Sequence, residues 1–172
     1  MPFHASKRLV FLPTAFLVFG LDQLGKSHIA TEVAPGARAP LFGDWLAWTN
    51  VPAMGGALGF FRDALPGVQL IGFAGLALTA TLAIAFFYRG LAPREHGTAA
   101  ALGALLGGVS SHALDRLRYG SGVDFLHLGS MNSNALPDFS LADVAIVLGV
   151  ATLILELLTI EFATRASERP PR

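Results

Sequence analysis

Residues 67–88 read Gly-Val-Gln-Leu-Ile-Gly-Phe-Ala-Gly-Leu-Ala-Leu-Thr-Ala-Thr-Leu-Ala-Ile-Ala-Phe-Phe-Tyr, without a single charge. A bilayer core is crossed by roughly 20 apolar helical residues, so this stretch predicts a membrane span, and it governs the reading of its neighbours. Three further apolar stretches, 9–28, 97–117 and 141–162, are of similar length. The predicted fold is therefore an all-α membrane protein, a single domain over 1–172 with four transmembrane helices. The first stretch follows Lys7-Arg8 as a secretory signal would. However, Asp22 and Lys26 come directly after its apolar run, and the nearest Ala-x-Ala pattern, Ala37-Arg38-Ala39, lies too far on for ordinary cleavage. It is read as a retained span.

Composition agrees. Of 172 residues, 53% are apolar and only 14% charged, with a mean hydropathy of +0.56, whereas soluble domains carry about 25% charge. Formal net charge is zero, and without a long basic run nucleic acid is excluded as a partner. The absence of cysteine excludes disulfides, thiolate metal ligands and a cysteine nucleophile.

The basic residues orient the spans. Lys7 and Arg8 precede the first, Arg89 and Arg94 separate the second and third, and Arg165, Arg169 and Arg172 follow the fourth. The positive-inside rule then places both termini in the cytoplasm, with loops 29–66 and 118–140 on the outer face and 163–172 as a cytoplasmic tail. Within 29–66, short aromatic runs such as Trp45-Leu46-Ala47-Trp48 are broken by glycine. They predict a few strands and turns, a small β-like element at the outer interface.

Polar residues in so apolar a chain need a reason. Asp22 and Lys26 are spaced i, i+4 with the acid first, which suits a helical ion pair locking the first span to its neighbours. Gly103, Gly107 and Ser111 recur every four residues, a small-residue stripe that admits a close helix. His112, Asp115 and Arg116 share the outer end of the third span, as support for a site, as substrate contacts, or as a snorkelling Arg with its counter-ion. Asp124 and Asp143 sit at the outer boundary, one after the third span and one inside the fourth. A carboxylate there is a functional hypothesis by default, and two that share a proton can activate water as aspartic proteases do. Ser140-Leu141-Ala142-Asp143 also resembles a capping box; capping accounts for Asp143 and not for Asp124. No HExxH, G-x-S-x-G or phosphate-binding Gly loop occurs, and no metal is expected.

These elements stand in a recognisable order: Asp22-Gln23-x-x-Lys26, Gly55-Gly56-Ala57-Leu58-Gly59, Gly107-Gly108, Asp115-Arg116-Leu117-x-Tyr119-Gly120, Val123-Asp124-Phe125 and Phe139-x-x-Ala142-Asp143. Over essentially its whole length the chain resembles signal peptidase II, the membrane aspartic peptidase that removes signal peptides from bacterial prolipoproteins. The resemblance implies a catalytic dyad of Asp124 and Asp143, one carboxylate activating water while the other, protonated, polarises the scissile carbonyl. Asp22, Lys26, Asn50, Gly108, His112, Asp115, Arg116 and Ser140 would bind substrate or support the dyad. The β-like element, over 41–61, would be an outer cradle for the substrate. It further implies no cofactor and a diacylglyceryl-modified prolipoprotein as partner, met by a monomer among the lipids of the bacterial cytoplasmic membrane.

The chain departs from the family pattern at defined places. Ser111 and His112 stand in the Gly-Gly-x-x-Gly-Asn-x-x-Asp-Arg element where the family usually has Asn, and Ser140 replaces the Asn before Ala-Asp. Asn50 lies five residues before Gly55, and matches the family's cradle Asn only across an insertion. Other readings are a paralogue that binds lipidated peptides without cutting them, a metal-dependent membrane hydrolase, and a helical scaffold or transport subunit.

Overall fold

The computed structural model describes residues 7–53, 66–130 and 138–167. Four helices account for most of it: α1 (Arg8–Glu32), α2 (Pro66–Gly90), α3 (His96–Tyr119) and α4 (Leu141–Ser167). Between them lie three strands, β1 (Arg38–Phe42), β2 (Leu46–Ala53) and β3 (Gly122–Leu128), which form one antiparallel sheet in the order β1-β2-β3. The Gly55–Gly59 run lies outside the described residues, as do Arg169 and Arg172 of the tail.

Among the described residues three helices, α1, α2 and α4, are long and apolar enough to cross a membrane. Their outward faces carry exposed Leu, Ile, Val and Phe side chains along their length, such as Phe16, Ile71, Phe86, Val147 and Phe162. A face of that kind is stable against lipid and not against water. By composition α3 falls outside that group, and its position explains why. It is the hub on which α1, α2 and α4 all pack, so its neighbours are mostly protein, and it can carry Ser111, His112 and Asp115 where a lipid-facing helix could not.

Small residues let the other helices reach α3. A Cβ on Gly107 would stand 2.5 Å from the Ala15 carbonyl oxygen of α1, and one on Gly108 would stand 2.9 Å from the Ala142 oxygen of α4. Gly103 meets the Phe11 carbonyl in the same way. The stripe expected from the four-residue spacing is therefore the α1 contact, and Gly108 opens the adjacent side to α4. At one end of the bundle, Phe11, Ile84, Ala99, Leu102 and Leu105 form an apolar core. There Lys7 Nζ donates to the Tyr88 and Leu91 carbonyls at 3.0 and 2.5 Å, capping the C-terminal end of α2 and joining it to the start of α1. At the opposite end Ile29, Val33 and Phe125 join α1 to the sheet.

One expectation changes. The segment after α3, expected as a loop, contains β3, because Val123-Asp124-Phe125-Leu126 pairs with β2 across Val51↔Asp124 and Trp48↔Leu126. Glu156 of α4 accepts a hydrogen bond from Thr98 Oγ1 at 2.6 Å and ties α4 to the first turn of α3.

Gly107→Ala should destabilise the protein in detergent by about 1–3 kcal/mol, because the obstacle is backbone that cannot rotate away. Gly75→Ala on α2, where a Cβ meets nothing within 4 Å, should be neutral or stabilising. Thermal unfolding of the two variants checks this, and equal midpoints would refute it.

Candidate active site

The site is built on a buried ionic network at the sheet end of the bundle. Asp22, Lys26 and Asp115 are all buried, and Lys26 Nζ lies 2.5 Å from both Asp22 Oδ2 and Asp115 Oδ2. The i, i+4 pair expected in α1 is present, but its cation is shared with α3. Ser111 Oγ donates to Asp22 Oδ2 at 2.5 Å, and Gln23 Nε2 donates to Ser111 Oγ and Asp115 Oδ1 at 2.7 and 2.8 Å. The remaining oxygen of Asp22 accepts the Ala142 backbone N–H at 2.8 Å. One aspartate of α1 therefore holds both α3 and the N-terminal turn of α4. No described buried side-chain nitrogen or oxygen lacks a partner, which makes such a burden of charge tolerable.

Asp143 sits in that N-terminal turn, one residue beyond the N–H that Asp22 holds. Its Oδ2 accepts from Ser140 N at 2.8 Å and Ser140 Oγ at 2.6 Å, while Asp143 N donates to Ser140 Oγ at 3.3 Å. This reciprocal pattern is the capping box. Oδ1 faces His112 Nε2 at 3.0 Å, and the other ring nitrogen of His112 lies 4.0 Å from Asp115 Oδ2. His112 thus bridges the ionic network and Asp143. The cap leaves 42% of the Asp143 side chain exposed, so the same carboxylate remains open to a reactant.

Asp124 lies on β3, opposite Val51. Burial, together with the negative charge of Asp143, raises its carboxyl from 3.8 to about 7, against the opposing fields of His112 and Lys26. The two aspartates therefore sense each other, and at neutral pH Asp124 is divided between its acid and its carboxylate. Among the described residues no three His, Asp or Glu side chains form a group that could hold a metal ion.

The other expected residues take varied places. Arg116 stacks over the Phe73 ring, its Cζ 3.3 Å from the centroid, and lies within the field of Asp115 and Asp124. Gly108 serves by being small, as the seat for α4. Asn50 donates from Nδ2 to the Val33 carbonyl at 2.6 Å, fastening β2 to the C-terminal end of α1. Sequence reasoning missed Gln23 and Ser111 as partners of the ionic network. Gln23 stands beside Asp22 and three residues before Lys26, which was the available signal. It also missed Asp138, for which the sequence carries no signal.

A family model described as signal peptidase (SPase) II matches residues 14–159. A lipoprotein signal peptidase of Moorella thermoacetica is 36% identical over 148 residues, covering 86% of this chain and 92% of its own. One from Pseudomonas aeruginosa is 33% identical over 150 residues, covering 87% and 88%. A solved bacterial membrane enzyme superposes with a TM-score of 0.77 at 23% identity, with 93% of each chain covered, and shows the same fold. A second, at 25% identity, gives 0.73 over 85% of this chain and 90% of its own.

Lys26→Met should cost about 3–5 kcal/mol of stability, since it leaves two buried carboxylates without their shared cation. Denaturation in detergent checks it. A loss under 1 kcal/mol would mean that the network is not what holds α1, α3 and α4 together.

Proposed function

This chain belongs to the signal peptidase II family, and on that premise we propose that it is an aspartic endopeptidase. It removes signal peptides from diacylglyceryl-modified bacterial prolipoproteins by means of Asp124 and Asp143. The observation that carries the reading is the electrostatic pairing of the two carboxylates. One is held open at a helix cap, and the other is raised to about 7 by burial and by its partner.

In the proposed reaction Asp143 takes a proton from water as the water oxygen bonds to the scissile carbonyl carbon. Asp124, in its acid form, gives its proton to the carbonyl oxygen. The tetrahedral intermediate collapses by breaking the C–N bond, with a proton passing to the leaving amine and both carboxyls returned to their starting state. His112 orients Asp143, and the Lys26 network fixes the turn that carries it.

The membrane arrangement is proposed with the function. The whole chain acts as one domain and as a monomer, and α3 crosses the bilayer with α1, α2 and α4, shielded by them. Support comes from the position of Lys7, bound to the end of α2, and from the basic residues that follow α2 and α4. Both support the proposed orientation by the positive-inside rule, with the termini in the cytoplasm, the sheet and both aspartates toward the outer face, and a bacterial inner membrane as the location. The apolar signal helix would reach the site from within the bilayer, with the substrate's acyl chains left in lipid.

Asp124→Asn and Asp143→Asn should each abolish cleavage of a lipidated precursor while insertion and folding persist, since Asn still caps a helix. Normal cutting by either variant would sink the dyad. Chelators should have no effect; loss with a chelator and rescue by a divalent cation would favour a metal hydrolase. In the parent, activity should fall as pH rises through about 7, where Asp124 loses its proton. The same shift acts on stability. Because the folded value lies above the unfolded 3.8, this contribution is full below pH 3.8 and lost through about pH 7. Asp124→Asn should therefore be stabilised relative to the parent at pH 8.

His112 separates this chain from the common family pattern. His112→Asn should retain or raise activity and alter the acid side of the pH profile, because it removes a titratable neighbour of Asp143. His112→Leu should lower kcat/KM, by an amount equivalent to about 1–3 kcal/mol if it strands the Asp143 oxygen. Unchanged rates and profiles in both variants would make His112 a bystander.

A further inference from the structure

The sheet carries a second titratable cluster that the proposed chemistry leaves unused. His127, on β3, is completely buried. Its Nδ1 lies 2.6 Å from Asp138 Oδ1 and its Nε2 lies 3.2 Å from the Ser130 carbonyl oxygen, so the ring is held at both ends. Asp138 also accepts from Thr49 Oγ1 of β2 at 3.4 Å, and Arg38 of β1 stands 3.5 Å away. All three strands thus converge on one carboxylate just before α4. Backbone bonds run beside it: Leu126 N to Phe139 O at 2.9 Å, and Phe139 N to Leu126 O at 2.9 Å.

The placement of this cluster gives it a use. Asp124 lies three residues before His127 on the same strand, and Asp143 lies five residues after Asp138, beyond the Ser140 cap. Among the described residues, the His127–Asp138 contact and the backbone bonds of Phe139 to Phe125 and Leu126 therefore link the strand that bears one aspartate directly to the helix turn that bears the other. The ring is fully buried and its carboxylate partner only 15% exposed, so the pair is shielded from water. Their contact fixes geometry, since a buried ring and carboxylate are stable only while they meet.

We infer that His127 and Asp138 are positioning residues, a clasp that sets how Asp124 and Asp143 face each other. The inference rests on the proposed dyad. Asp138 also belongs to the set of charges facing Asp124, together with Asp143 of α4, His112 and Arg116 of α3, and Lys26 of α1. Removing its charge therefore changes the surroundings of Asp124 as well as the clasp.

The test uses the full chain in detergent with a diacylglyceryl-modified prolipoprotein substrate. H127A and D138A should each lower kcat at least about tenfold with KM nearly unchanged, and the double variant should do no worse than the poorer single, because both break one contact. D138N keeps an acceptor for the ring and loses the charge. It should retain most of kcat and move the alkaline limb of the pH profile to lower pH, and it serves as the test if the alanine variants do not fold. Parent-like kcat in both alanine variants, losses that multiply in the double, or an unmoved D138N profile would overturn the clasp. D124N and D143N are assayed alongside. If either cuts, the dyad reading fails; if both are dead and the clasp variants behave as the parent, only the clasp fails.

Discussion

Lys26 placed between Asp22 and Asp115 is the interaction on which the rest of the structure depends. Three ionised groups inside an apolar bundle are tolerable only if each is matched, and the matches come from different helices. Asp22 alone contacts α1, α3 and the first turn of α4. Moving any of these helices would strand a charge in a medium that cannot solvate it. The network therefore acts less as a source of stability than as a register mark. It permits one relative placement of three helices, and that placement brings the Asp143 turn to where β3 presents Asp124.

The sheet does for Asp124 what the network does for Asp143. A carboxylate on a loop would be free to turn toward water. On β3, opposite Val51 and next to the buried Phe125, it is withdrawn from water and held within the field of a second negative charge, and its proton affinity rises, first through burial and then through that charge. Phe125 itself packs against Gly25 of α1, where any side chain would displace the ring. The strand, the helix and the aspartate are thus linked through one aromatic side chain and one missing Cβ. Asn50 and the Lys26 network fix the same helix end from other directions.

Much of this was legible in the chain. The apolar runs predicted α1, α2, α3 and α4 to within several residues at each end, because burial in lipid imposes a long, local signal. The stripe of Gly103, Gly107 and Ser111 foretold a close helix neighbour, and the Ser140–Asp143 spacing foretold the cap that the hydrogen bonds display. The status of α3 was less legible. It reads as a span by length, yet it is too polar to count beside α1, α2 and α4, and its interior position alone makes sense of that.

What the sequence determined by itself is whatever depends on neighbours within a turn or two: helix extents, the cap, the Asp22–Lys26 spacing, the ordered family motifs, and two aspartates out of keeping with their surroundings. The tertiary structure decided who meets whom. Lys26 reaches Asp115 across 89 positions, Asp22 reaches the Ala142 N–H across 120, and Asp138 gathers Arg38, Thr49 and His127 from three strands. It also turned an expected loop into β3 and gave Glu156 a partner in α3. The physical reason is range. Hydrophobic periodicity and capping are written into consecutive residues, whereas the partner of a buried polar group is chosen by the packing of whole elements, and only the folded chain brings those elements together.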